Sequence, residues 1–557
     1  MKAPILALAC TAALALATGA PAHALAQDTL LIVNAKVWTG NPAQPEAEAV
    51  AITGGRFAAV GSTAELTARY SGAERLDLAG QFVTPGFIDT HVHFVEGGFR
   101  LASVQLRDAR TREEFARRLA AFAATVPAGT WITGGDWDHT LWGGELPRRD
   151  WIDAATPNHP VWINRLDGHM ALANSAALTV AGVTAGAGDV AGGEIVRNAD
   201  GSLTGLLKDN AMDLVGTKVP DASAAMNDRA LDAAMAYVAA QGVTTVHNMG
   251  SWSDLDVFTR AWRASRLRTR VYAAVPLANW SRLRDVVASG AYGTGGRGDA
   301  WLRIGALKGF VDGSLGSHTA AFLAPFDDAP ADRGLFVTEP DVLYAAIAGA
   351  DKANLHVAVH AIGDRANRTL LDIFARVATE HGARDRRFRI EHAQHLAPDD
   401  IARFAALGVI PSMQPYHAID DGRWADKVIG AERSRTTYAF RSLLDAGAAL
   451  SFGSDWFVAP PTPLEGIYAA VTRRTLDEAH AGGWVPEEKI SVDEALRAYT
   501  SGGAFASFEE RDKGMIKPGM LADLVVIDRD LRAIAPETIR DANVTRTIVG
   551  GLTVYAR

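Results

Sequence analysis

The chain has 557 residues, of which 48% are hydrophobic and 21% charged, with a formal net charge of -9. It can bury a large core and is longer than one minimal domain requires. The acidic balance gives no sign of a nucleic-acid surface, and the single cysteine, Cys10, excludes a disulfide framework.

Lys2 precedes an Ala/Leu-rich apolar run at 5–17, followed by Pro21 and the small-residue pattern Ala22 to Ala26. Residues 1–26 read as a secretory signal peptide cleaved near Ala24 or Ala26. The alternative is an uncleaved anchor, against which stand the weak hydrophobicity of the run and Pro21. A periplasmic or secreted protein with no membrane attachment after signal removal is expected. Cys10 leaves with the signal, so a mature chain has no thiol for nucleophilic attack or zinc binding. Any metal must then be held by His, carboxylate or modified Lys.

Residues 29–81 resemble short strands, with a hairpin at 49–52 and 57–60. Segments 523–528, 545–549 and 552–555 at the other end are also strand-like. Both ends are therefore expected to build one small β domain, a β-sandwich over 27–84 and 514–557. The middle, 85–513, alternates strands and helices. Its strand candidates are 87–93, 243–247, 270–275, 302–308, 355–360, 388–392, 409–413 and 449–455. Among the helices, 401–407 stops at Gly408, and Ser491 with Glu494 forms a capping-box pattern. Eight strands with helices between them predict an α/β fold, a (β/α)8 TIM-like barrel. An open doubly wound sheet is the alternative, but no Gly-rich phosphate fingerprint supports it.

The gap between the first two barrel strands is too long for one helix. An inserted subdomain at about 99–228 is expected over the barrel mouth, with a helix opening at Thr111 to Glu114. It carries Trp137, Asp138, His139, Trp142, Arg165, Asp167 and His169. Most of these should pack a small local core. Trp137 and His169, each in a Gly-flanked turn, are candidates for substrate contact.

The stretch FVTPGFIDTHVHF at 82–94 is the chemical centre of the sequence. Side chains two apart on a strand point to one side, so His91 and His93 present two imidazoles together. That suits a divalent metal, although two histidines can also merely finish a strand. Lys308, His360, His392 and Asp455 stand at the ends of four later strand candidates. Barrel strands deliver their C-terminal ends to one mouth, so these six groups can meet there. For Lys308 a salt bridge to Asp312 is the competing reading. His395 competes with His392, and Asp455 could instead cap a turn.

The stretches PGFIDTHVHF, LKGFVDGSLGSHTA, VAVHAIGDRA, RIEHAQH, SMQP and FGSDWFV resemble the metal-dependent amidohydrolase superfamily. The chain is similar to its long two-domain branch, amidohydrolase family 3, which includes N-substituted formamide deformylase. The resemblance implies His91 and His93 as ligands of a first metal and His360 and His392 as ligands of a second. It implies Lys308, N-carboxylated, as the bridge, and Asp455 as both ligand and proton carrier, so that Asp455 and His392 are the catalytic candidates. Two Zn²⁺ are the expected cofactors, with Mn²⁺ or another divalent ion as the substitute.

The reaction expected is hydrolysis of a C–N, amide-like bond in a small molecule by metal-activated water. Trp137, His169, Ser314, His318, Tyr416, Trp456 and Phe457 are expected to line the pocket, which would suit a partly aromatic or apolar acyl group. Gln414 and His417 would orient it. An ester, lactone or phosphotriester hydrolase on the same site, or a non-catalytic metal-binding protein, are the alternatives. Nothing in the sequence sets the oligomeric state, and a homo-oligomer stays open.

Overall fold

The computed structural model describes residues 29–293 and 295–557. The segment read as a signal peptide lies outside the described residues. The central sheet has eight parallel strands: β1 (Phe87–Val92), β2 (Val243–Met249), β3 (Arg270–Pro276), β4 (Leu302–Phe310), β5 (His356–Ala361), β6 (Arg389–His392), β7 (Ile410–Met413) and β8 (Ser451–Phe452). They pair in chain order. Closure comes just past the short β8, where Val92 and Trp456 form a parallel bridge. There Asp455 N donates to His91 O at 2.7 Å and His93 N donates to Trp456 O at 2.6 Å. The sheet is thus a (β/α)8 barrel rather than an open doubly wound sheet.

Burial on both faces explains the apolar runs of the strands. β2, β5 and β7 are buried at every position. The lumen nevertheless carries polar groups. His91 of β1 meets Glu391 of β6 at 2.6 Å, Arg389 of β6 meets His247 of β2 at 2.9 Å, and Tyr272 of β3 meets His356 of β5 at 3.0 Å. None of these strand pairs is adjacent in the sheet, so the bonds cross the barrel interior. A buried polar column therefore runs along the axis.

The helix signals act as their chemistry requires. The helix Pro398–Leu407 ends at Gly408, whose φ of 63° is left-handed. Ser491 and Glu494 complete a capping box before Val492–Ala498. At Arg112–Ala123 only half of the box forms. Thr111 accepts from Glu114 N, but the Glu114 carboxylate takes the amide of Arg110 instead of that of Thr111.

Between the helices Phe94–Arg100 and Ala224–Ala240 lies a six-stranded sheet that rises over the mouth. It has its own core, built on Phe115, Leu119, Trp137, Trp151, Ile163 and Leu172. Two more sheets use the ends of the chain. In one, Leu30–Val33 pairs with Ala49–Thr53 and Glu74–Asp77. In the other, Phe82–Pro85 lies antiparallel to Leu524–Ile527, which also pairs with Val544–Val549. Ile32, Phe57, Val83, Leu524 and Ile548 pack between the two sheets, which makes them a small β-sandwich. Arg270, at the base of β3, fastens it to the barrel with two bonds to Asp523, at 2.7 and 2.9 Å. No helix among the described residues is long and apolar enough to cross a membrane.

Candidate functional site

The C-terminal ends of the barrel strands gather the six groups singled out in the sequence at one mouth. His91 belongs to β1 and His93 follows it directly. Asp455 lies on the loop after β8, pressed against β1. That approach needs glycine at 453, because a Cβ there would fall 2.6 Å from His91 N. Asp89 anchors the same loop by accepting from Ser454 N and Oγ. Asp455 and His392 have φ of 60° and 75°, left-handed values that are costly for residues with a Cβ. The bends aim both side chains into the mouth.

Asp455 Oδ1 lies 3.4 Å from His91 Nε2 and 3.3 Å from His93 Nε2. This oxygen is buried and has no hydrogen-bond partner among the described residues. Lys308 Nζ is 3.1 Å from His91 Nε2. The rings of His91 and His360 are centred 4.8 and 4.6 Å from that of His392. Lys308 is buried and forms no ion pair with a carboxylate among the described residues. The competing bridge to Asp312 is absent: that carboxylate accepts instead from the amides of Ala321, Ile362 and Gly363. Burial pushes the Lys308 amine down to about 8.

Each of three imidazoles has one ring nitrogen engaged. His91 Nδ1 donates to Glu391 Oε2 at 2.6 Å, His360 Nε2 to Gly313 O at 2.9 Å, and His392 Nδ1 to Gln414 Oε1 at 2.8 Å. In the tautomers these bonds select, the other nitrogen of each ring keeps its lone pair. Burial holds all three well below the usual imidazole range, in the neutral form that ligation needs. Burial works against ionisation of Asp455, whereas positive charge placed at the His91 and His93 nitrogens beside it favours the carboxylate and takes it below its usual range.

Two sets of side chains bring ligand atoms within 4.8 Å of one another: His91, His93 and Asp455, and His392, His417 and Asp455. The second differs from the set implied by resemblance. It contains His417, expected only to orient substrate, whose Nε2 is buried without a partner among the described residues, while the His360 ring lies 4.6 Å from that of His392. An unpartnered carboxylate oxygen and an unpartnered imidazole nitrogen fit a divalent cation, and Lys308 suits one only as the neutral amine or its carbamate. Sequence reading also missed Glu391, although it adjoins His392 and is, with Arg389, a charged residue in a strand buried throughout.

The mouth opens into a cavity that is open to solvent. His169 and Ser314 stand on its wall as expected. His169 Nδ1 donates to Asp209 Oδ1 at 2.6 Å. Burial alone would lower this imidazole, yet Asp209 and Asp167 raise it above its usual range. Ser314 Oγ donates to Asp167.

Four other expectations are corrected. Trp137 is buried in the core of the inserted sheet, where its indole donates to Ile163 O at 3.0 Å. Trp456 is buried with its ring flat on Gly97, where a Cβ would come within 2.6 Å of it. His318 points outward to Asp328 at 3.0 Å. Gln414 is buried behind His392 and reaches substrate only through it. The cavity is accordingly more charged than aromatic, with Asp138, Arg165, Asp167, Asp420, Asp421 and Arg423 on its walls.

Comparison with known proteins agrees with this geometry. Residues 74–555 match the model of the amidohydrolase family. The chain is 41% identical over 539 residues to the protein LONG AFTER FAR-RED 3 of Arabidopsis thaliana, covering 94% of this chain and 91% of that one. It is 30% identical over 545 residues to N-substituted formamide deformylase of Arthrobacter pascens, covering 95% of this chain and 98% of that one. The crystal structure of an uncharacterized metal-dependent hydrolase from Pyrococcus horikoshii superposes with a TM-score of 0.74 at 27% identity, over 91% of this chain and 99% of that one. A barrel of this kind, matched along nearly its whole length, makes the chain a member of the amidohydrolase family and a metal-dependent hydrolase.

Proposed function

We propose that the protein hydrolyses a C–N, amide-like bond in a small molecule. The observation that carries this reading is the buried Asp455 Oδ1, unpartnered and within 3.4 Å of two imidazole nitrogens. His91, His93 and Asp455 would hold one metal. His392 with His360 or His417 would hold a second, and Lys308 would bridge the two as a carbamate. Zinc is the metal we assign first, and manganese second. When bound, the metal polarises a carbonyl and acidifies water.

The remaining work falls to the chain's own residues. Asp455 takes the proton of the attacking water and gives it to the leaving nitrogen. Glu391 fixes the His91 ring so that Nε2 faces the mouth. His169, held by Asp209, and Ser314, held by Asp167, orient the acyl group from the wall. The burial of Lys308 without an acidic partner supports its carboxylation, since the free amine is the form that captures carbon dioxide. Likeness to a formamide deformylase supports C–N over C–O cleavage. The apolar leader at 1–26 supports a place in the periplasm or outside the cell.

The test is metal quantification on purified protein, followed by a panel of N-formyl and N-acyl amines, esters, lactones and phosphotriesters. Turnover of amides that a chelator abolishes and zinc or manganese restores is the expected result. Preference for esters or phosphotriesters would replace the C–N assignment. Bound metal with no turnover across the panel would overturn the enzymatic reading.

A further inference from the structure

The barrel has a second cavity at its other end, where β3, β4 and β5 begin. It is open to solvent and lined by Arg297, Arg303, Arg384 and Arg386 against one acid, Asp385. Three of these charges are already matched. Arg384 and Arg386 pair with Asp351 at 2.5 and 2.9 Å, and Asp385 pairs with Arg387 at 2.9 Å.

Arg297 and Arg303 are different. Arg297 Nη2 donates to the carbonyl of Asn354 at 2.6 Å, and the side chain meets no carboxylate among the described residues. Its guanidinium lies on the bare backbone of β4, where a Cβ on Gly305 would come within 2.0 Å of Nη1. Arg303 Nη1 donates to Phe508 O at 3.3 Å, and its nearest acid, Glu509, is 3.9 Å away. Glu509 is itself held by Lys513 at 3.0 Å and Ser507 at 2.8 Å. A bridge between Gly298 and Arg303 holds the two segments side by side. The floor adds no negative charge, because Tyr272 and His356 satisfy each other at 3.0 Å and His356 Nε2 donates to Arg387 O at 2.7 Å. Burial, with the charge of Arg303 beside it, draws the Arg297 guanidinium below its usual range.

Two guanidiniums facing one cavity, Arg297 with no carboxylate and Arg303 only sharing the distant Glu509 with Lys513, are a built receptor for an oxyanion, which their forked donors bind in pairs. We propose that this basal cavity binds a small oxyanion, a phosphate or carboxylate group, between Arg297 and Arg303. The site is independent of the reaction at the mouth and lies at the opposite end of the buried polar column.

The metal-loaded enzyme is titrated calorimetrically with inorganic phosphate and, separately, with malonate, at constant ionic strength. Saturable binding of at least one anion to the native protein is expected, weakened about tenfold or more in Arg303→Gln and in Arg297→Gln. Turnover of Arg303→Gln without added anion should equal that of the native enzyme. Tighter binding of phosphate assigns a phosphate group, and tighter binding of malonate a carboxylate. If Arg297→Gln does not fold, Arg303→Gln carries the test alone. Absence of saturable binding overturns the proposal, as does affinity unchanged in Arg303→Gln. Binding lost on metal removal but kept in Arg303→Gln would put the anion at the mouth and overturn it too.

Discussion

The two oxygens of Asp455 face different partners. Oδ1 looks toward His91 and His93, while Oδ2 lies 3.9 Å from His392 Nδ1. Replacing the carboxylate by an amide keeps the shape and one oxygen ligand but removes the proton acceptor. Asp455→Asn is therefore expected to retain metal and lose about 10²- to 10⁴-fold in kcat, read by steady-state kinetics beside metal analysis. Unchanged kcat would remove Asp455 from proton transfer. Glu391 acts one bond further out, on the far nitrogen of His91. Glu391→Gln should lower metal affinity about 10- to 100-fold, measured by competition with a chelator of known strength. An unaltered affinity would mean that the His91 ring is oriented by packing alone.

At the scale of elements, the strands were legible because a parallel strand buried on both faces is written as an apolar run between breaks. All eight barrel strands lie where PGFIDTHVHF, LHVAVH and similar stretches put them. The ligand candidates were legible for a related reason, since each ends such a run. What crosses the lumen was not. Alternation puts Arg389 and Glu391 on one side of β6, but it does not say that His247 of β2 and His91 of β1 wait opposite. His417 was undervalued because it follows β7 on the helix Pro415–Asp421 and does not end the strand.

Trp137 misled for a local reason. Gly134 and Gly135 have φ of 89° and 94°, and the strand register shifts between Gly134 and Trp137. The glycines therefore mark a bulge that turns the indole into the core, not a loop that offers it to substrate. Trp137→Ala should destabilise the protein by about 3–5 kcal/mol, seen in chemical denaturation. Its KM, corrected for the folded fraction, should stay near the native value. A rise in KM with stability unchanged would return Trp137 to the pocket.

At the scale of the whole molecule, the sandwich made by the chain ends is joined to the barrel through the paired charges of Arg270 and Asp523, both buried. Asp523 also accepts from Gly550 N at 2.8 Å, so one carboxylate links the barrel, Leu524–Ile527 and the turn before Leu552–Ala556. Removing only the cation leaves an uncompensated charge in the interface. Arg270→Ala should cost about 3–5 kcal/mol of stability in urea denaturation. A loss under 1 kcal/mol, the scale of an exposed pair, would show that water enters this joint.

The last strand of the barrel is only two residues long, and the ring is completed by amides of His93 and Asp455 bonded to carbonyls of Trp456 and His91. The clasp that shuts the cylinder thus draws on the backbone of His91, His93 and Asp455, the residues proposed to hold a metal. An ion held there would work as a rivet as well as a reagent. Stripping it should quicken deuterium uptake first at the His93 and Asp455 amides, while amides in the middle of β4 and β5 keep their protection.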